Sequence, residues 1–138
     1  MNDPAAAHAP FRTLFHGVTA SSATAGLFLV RTEDEWVSHW TAWMRAERPG
    51  PAVPAVDWEA ELAVVLAVGT RPASGYQVTI EHLAVRDRHL HVSAWEDRNG
   101  GAALDVITFP VHAVAMPLRD LGDDLYLVQR ITTSKDDC

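Results

Sequence analysis

Seven histidines and a single cysteine bound the chemistry open to this 138-residue chain. His82, His89 and His91 are the first candidates, because two histidines two apart on a strand can share a metal ion. Imidazole ligands usually want a third protein ligand and an acceptor that orients each ring. No acidic side chain is placed to provide one here, so the trio reads first as the polar outer face of a hairpin, with metal binding as the sharper alternative. His112 and Asp57 are candidates for acid–base work. No serine elbow or cysteine nucleophile motif accompanies His112, and no carboxylate, histidine or nucleophile stands at diagnostic spacing from Asp57. A local structural hydrogen bond for His112 and a turn cap or ion pair for Asp57 are the expected roles. A hydrolase using these residues is the enzymatic alternative. Cys138 is the last residue, so an internal disulfide or a cysteine metal cage is ruled out. The expectation is a chain without catalytic residues, metal or cofactor.

Binding chemistry is better signalled than catalysis. Between Leu62-Ala63-Val64-Val65-Leu66-Ala67-Val68 and the alternating Tyr76, Val78 and Ile80 lies a connection rich in conformational constraints. Gly69 and Gly75 can take positive φ, Pro72 fixes φ, and Ser74 can bond to nearby backbone. Such a loop is shaped rather than floppy, and a shaped loop between core strands is a natural place to present a binding surface. Thr70, Arg71, Pro72, Ala73, Ser74, Gly75 and Tyr76 are therefore the candidate partner-binding residues. Glu96 to Gly101 is a second polar loop, adding Arg98 and Asn99. A small-ligand pocket lined by Trp58, Tyr76 and Trp95 is a further alternative.

The elements that must position these residues follow from hydrophobic periodicity. Phe11 to Val18 reads as a strand, Thr19 to Gly26 as a loop and Leu27 to Val30 as a short strand. Thr32 followed by Glu35 is a capping-box pattern with Glu33 and Asp34 in the first turn. Trp36, Val37, Trp40, Trp43 and Met44 then recur at helical spacing, a stripe that should seal a sheet, with His39 off the stripe and solvated. Pro49-Gly50-Pro51 stops the helix. Asp87-Arg88 as a two-residue turn pairs Val85 with Leu90 and Leu83 with Val92. Keeping these and Ile80 inward requires a bulge near Glu81-His82. Pro110 should interrupt the next strand or mark an edge, and Leu125 to Ile131 is a last strand that could pair with the first. The fold class is α+β, a mainly antiparallel sheet, curled or sandwiched, packed by one tryptophan-rich amphipathic helix.

Residues 1–10 read as a loose Ala- and Pro-rich arm, residues 11–131 as one domain and residues 132–138 as a polar tail. A chain of this size can bury a sizeable core without staples. A net charge of −7, with only 11 Lys and Arg, argues against a nucleic-acid partner. No apolar run reaches the ~20 residues that a membrane helix needs. No basic, apolar leader opens the chain, so taken as complete it is expected in the cytoplasm, and exported if a leader has been removed.

Val56-Asp57-Trp58, the apolar strand ending in Gly69, Arg71 to Ile80, Leu90-His91-Val92 and Thr108-Phe109-Pro110-Val111-His112-Ala113-Val114 together resemble the PrcB C-terminal domain family, over roughly residues 30 to 118. Ala73-Ser74-Gly75 stands where that family commonly has a Thr-Gly-Gly or Ser-Gly pattern. The family is named for an accessory subunit of a secreted bacterial protease complex. The resemblance therefore implies a non-catalytic interaction module whose partner is another protein, a protease among the candidates. The 70–76 loop also resembles the Pro-Thr-Thr-Gly-Tyr loop of chagasin-type cysteine protease inhibitors, which makes an inhibitor the alternative.

Overall fold

The computed structural model describes residues 7–19, 23–45, 47, 50–72, 75–98, 107–119, 121 and 125–129. Two strands account for its architecture, β4 (Glu61–Ala67) and β7 (Phe109–Pro117). Every residue from Leu62 to Ala67 and from Val111 to Met116 is buried, at odd and even positions alike. A strand sends successive side chains to opposite faces, so these two must be covered on both. They pair antiparallel at the middle of a sheet ordered β2 (Arg12–Thr19), β7, β4, β3 (Gly26–Val30).

What covers each face is written in side-chain size. Ala63, Val65, Ala67, Val111 and Ala113 pack with Trp36, Trp40 and Trp43 of helix α1 (Glu33–Trp43). Small residues on the sheet leave room for three indoles, and close packing rewards that match. On the other face, the larger Leu62, Val64, Leu66, Val114 and Met116 meet Val78, Ile80, Leu83, Leu90, Val92 and Ala94 of a second sheet. That sheet is ordered β1 (Ala7–Ala9), β5 (Tyr76–Arg86), β6 (His89–Arg98), β8 (Leu125–Gln129). The result is three layers, sheet on sheet on helix, which settles the sandwich over the curled alternative.

Local chemistry follows the sequence closely in α1 and the hairpin. The Thr32 hydroxyl accepts the Glu35 N–H at 3.2 Å, and the Glu35 carboxylate takes the Arg31 N–H at 3.0 Å. The indole N–H groups of Trp36 and Trp40 donate to the carbonyls of Pro54 and Pro51, at 2.9 and 3.2 Å. The proline-rich connection thus supplies acceptors to a buried aromatic stripe. In the hairpin, Asp87 and Arg88 both take positive φ, 51° and 66°, the conformation that a two-residue type I′ turn requires. Val85 pairs with Leu90 and Leu83 with Val92, with an irregularity between Ile80 and His82.

Five expectations need correction. Residues 7–9 are not part of an arm, because β1 pairs with β5 and Ala9, opposite Leu83, is buried. The last strand pairs with β6, in parallel, rather than with the first. Pro110 lies inside β7, in the middle of its sheet, for a reason given below. Glu96 to Arg98 continue β6 instead of opening a loop. His39 is half-buried against Phe28 and Trp43, with ring centroids 5.0 and 5.8 Å away, and burial pushes its pKa down. Residues 99–106, 130 and 131, and the proposed tail, lie outside the described residues. Among those described, no helix is long and apolar enough to cross a membrane.

Burial on both faces makes a specific prediction. Val64→Thr and Val65→Thr, on opposite faces of β4, should each cost about 1–3 kcal/mol, since each hides an unpaired hydroxyl. Ser93→Val, on the outer face of the other sheet, should stay within about 0.5 kcal/mol. Urea denaturation of the three variants measures both effects.

Candidate functional site

The 70–76 loop is built around Arg71. Its side chain grips Glu96 in a bidentate pair, Nε to Oε2 at 2.6 Å and Nη2 to Oε1 at 2.8 Å. Nη1 donates to the carbonyls of Val68 and Thr70, at 3.1 and 2.9 Å. The Arg71 backbone exchanges two hydrogen bonds with Thr108, at 2.7 and 2.9 Å. Fork geometry and permanent charge suit arginine, and not lysine, to this arrangement.

Pro110 explains why the Val68 carbonyl is free to be taken. Val68 donates its N–H to the Pro110 carbonyl at 3.4 Å, continuing the β4–β7 ladder by one residue. In such a pair the opposite residue would normally return a hydrogen bond. Proline has no N–H to give, and Arg71 Nη1 donates in its place. A proline in a central strand is tolerated because a cation just beyond the strand end satisfies the carbonyl it leaves open.

Glu96, expected in a polar binding loop, lies in β6 on its inward parity. Leu90, Val92 and Ala94 alternate inward along β6, and Glu96 continues the same parity. Only 7% of its side chain is exposed. A charged residue on the apolar parity demands a buried partner, and the pair consumes Arg71, expected to face a partner protein. The rim that remains outward is Thr70 and Pro72, both exposed, with half-buried Tyr76, over whose ring the Arg98 guanidinium sits at 5.3 Å. Gly75 takes positive φ, 96°, as the loop reading requires. Ala73, Ser74 and Asn99 lie outside the described residues.

The histidine chemistry resolves into a second structural device. Strand β1 covers only Leu83 to Val85 of β5, leaving the same backbone edge bare toward Tyr76. There the Ile80 N–H donates to His112 Nδ1 at 2.8 Å, and His16 Nε2 donates to the Val78 carbonyl at 2.9 Å. The two rings stack at 4.1 Å with 22° between planes. Together they stand in for a missing strand and tie β2 and β7 to β5. Since Nδ1 accepts, Nε2 of His112 carries the proton and donates to Thr13 Oγ1 at 3.0 Å. The expected hydrogen bond at His112 therefore exists, but with distant parts of the chain rather than locally. Burial first, and the neighbouring His16 second, push the His112 pKa down to about 4.

The remaining candidates are dispersed. Asp57 caps a turn: its carboxylate accepts the Glu59 N–H at 3.2 Å and its carbonyl accepts those of Ala60 and Glu61. His82 sits edge-on to His8 at 5.6 Å, while His89 and His91 alternate with buried Leu90 and Val92. Among the described residues, no three His, Cys, Asp or Glu side chains could hold a metal ion together. Trp58 packs with the helix layer and donates to Glu33 at 2.6 Å. Trp95 lies on the outward parity of β6, across the sandwich, so these two do not line one pocket with Tyr76. No family model, curated protein or solved structure matches this chain.

Two predictions follow from these geometries. Arg71→Ala should cost about 3–5 kcal/mol, because Glu96 is left charged and buried, and the double variant Arg71→Met, Glu96→Leu should recover the part due to the unpaired carboxylate while the Val68 carbonyl stays without its donor. Denaturant midpoints of the single and double variants test the pair. The second concerns pH. Folded His112 resists protonation until about 4, whereas the unfolded chain takes up that proton near the ordinary 6.5. The unfolded state binds more protons between these values, so stability is full above 6.5 and declines as pH falls through the interval, by at most roughly 3 kcal/mol. Half-buried His39, also shifted down, adds to the same slope. Urea midpoints at pH 7 and 4.5 should converge in His112→Gln relative to the parent chain.

Proposed function

We propose that this chain is a non-catalytic protein-binding module, an accessory or stabilising subunit of the kind that the resemblance to the PrcB C-terminal domain family implies, and that it binds through the 70–76 loop. The observation carrying this reading is the Arg71 anchorage. Six hydrogen bonds hold Arg71, and a residue held in place before binding loses less conformational entropy on binding. Thr70, Pro72, Tyr76 and Arg98 form the contact rim, and tyrosine and arginine are among the residue types enriched at protein interfaces and their hot spots. Arg71 positions this rim and is not itself a contact.

The use made of the histidines supports the same reading over a hydrolase. Both ring nitrogens of His112 are engaged in holding strands, and a general base needs a free lone pair within reach of substrate. Asp57 is occupied in a turn.

An inhibitor would use the same loop, so the experiment must separate occupancy from blockade. Affinity capture from lysate and medium, with the parent chain beside Pro72→Ala, Tyr76→Ala, Arg98→Ala, keeps the Arg71–Glu96 pair intact. A protein held by the parent and lost by the rim variant is the expected result, and equal capture by both overturns the reading. If the captured protein is a protease, unchanged turnover with the chain bound identifies an accessory subunit, and lost turnover identifies an inhibitor.

A further inference from the structure

His16 and His112 spend their ring nitrogens on holding strands together, whereas His8 and His82 do not. Both of the latter are exposed, and among the described residues neither ring has a hydrogen-bond partner. What each touches is the other: the rings meet edge to face, with centroids 5.6 Å apart and 87° between planes.

Strand register explains why they meet. β1 sets His8 directly opposite Ala84 of β5, and His82 lies two residues along β5 from Ala84. Paired residues share a face of a sheet, as do residues two apart on a strand, so His8 and His82 are diagonal neighbours on one face. The alternate pair, Ala9 and Leu83, belongs to the core, which leaves both imidazoles on the outer side of the sheet. The irregularity between Ile80 and His82 is what brings His82 there. Without it, the inward parity of Val78 and Ile80 would carry His82 into the core, and re-aiming a side chain is a recurrent use of a bulge.

Two imidazoles at this separation are spaced for one metal ion. Zinc binds imidazole nitrogen at ~2.0–2.1 Å, and two rings on one ion, at angles from right to trigonal, have centroids ~4.5–5.5 Å apart. The rings of His8 and His82 stand just outside that range, and exposed side chains that no hydrogen bond fixes rotate freely enough to close the difference. We propose that His8 and His82 form a two-imidazole site for a divalent transition-metal ion, zinc or copper, with water completing the coordination and the ion tying β1 to β5. No third His, Cys, Asp or Glu among the described residues joins them, so the ion is held more weakly than at a site with three or four protein ligands. Imidazole nitrogen suits zinc and copper, whereas magnesium and calcium take oxygen ligands. The strand that the ion secures has three residues and, among the described strands, pairs only with β5, so a cross-link there reinforces a short ladder. The site is independent of the 70–76 loop and stands whether or not that loop binds a protein.

Isothermal titration of the full chain with Zn2+ and Cu2+ tests it, with Cys138→Ser as the reference chain to remove the one thiol. The reference should bind one ion in the micromolar range, copper more tightly than zinc, and should not bind Mg2+. His8→Ala and His82→Ala, each in that background, should weaken binding by more than the ~10-fold that loss of an outer-shell partner costs a metal site. The double variant His89→Ala, His91→Ala, on β6, should bind as the reference does. Zinc should raise the urea midpoint of the reference and not those of the two single variants, whose metal-free midpoints should stay near the reference because both positions are exposed. Absence of saturable binding at millimolar zinc, reference-like binding after either single substitution, or binding lost with the β6 pair overturns the proposal.

Discussion

Burial of β4 and β7 on both faces is the constraint from which the rest of the molecule follows. A sheet between a second sheet and a helix has no polar face, so its central strands carry no solvent-directed side chains, and its two sides must differ in size to receive different partners. Alanines lie beneath the three tryptophans of α1, while leucines, valines and a methionine face the other sheet. Polar groups are driven to strand ends and edges. It is there, beyond Ala67 and along the bare edge of β5, that the structure gathers its buried ionic and imidazole chemistry.

Both polar devices repair a backbone that secondary structure leaves incomplete. The Pro110 ring deprives the Val68 carbonyl of a ladder donor, and Arg71 supplies one while its fork is held by Glu96. The short β1 does not reach Val78 and Ile80 on the side of β5 away from β6, and stacked His16 and His112 supply an N–H and a lone pair there. A buried backbone group left unpaired costs about 1–3 kcal/mol, more than the ~1 kcal/mol that a typical hydrogen bond returns. Repairs of this kind therefore restrict what the side chains can do elsewhere. The residues most suggestive of chemistry, His112 and Arg71, are each engaged in hydrogen bonds that hold the sandwich together.

Arg71, in the loop after β4, is held by bonds that reach it from β6 and from the segment leading into β7, and the Arg98 guanidinium lies over the Tyr76 ring. Strand β3 pairs with β4, and no other described strand pairs with it.

Elements whose signals are local were legible in the sequence alone. The capping of α1 by Thr32 and Glu35, the tryptophan stripe, the Asp87-Arg88 turn with its register and bulge, and the conformational need for Gly75 all rest on interactions within a few residues, where spacing and residue type decide the outcome. What only the tertiary structure decided is every pairing across long separations: β1 joining β5, β8 lying parallel to β6, His112 reaching Thr13 and Ile80, and Arg71 reaching Glu96. Periodicity reports which side of a strand is apolar, not which strand lies beside it, and a charge pattern does not say which opposite charge folding will bring near. Glu96 lies on the boundary. Its inward parity was visible in Leu90, Val92 and Ala94, yet its meaning depended on a guanidinium that only the packing of two sheets places against it.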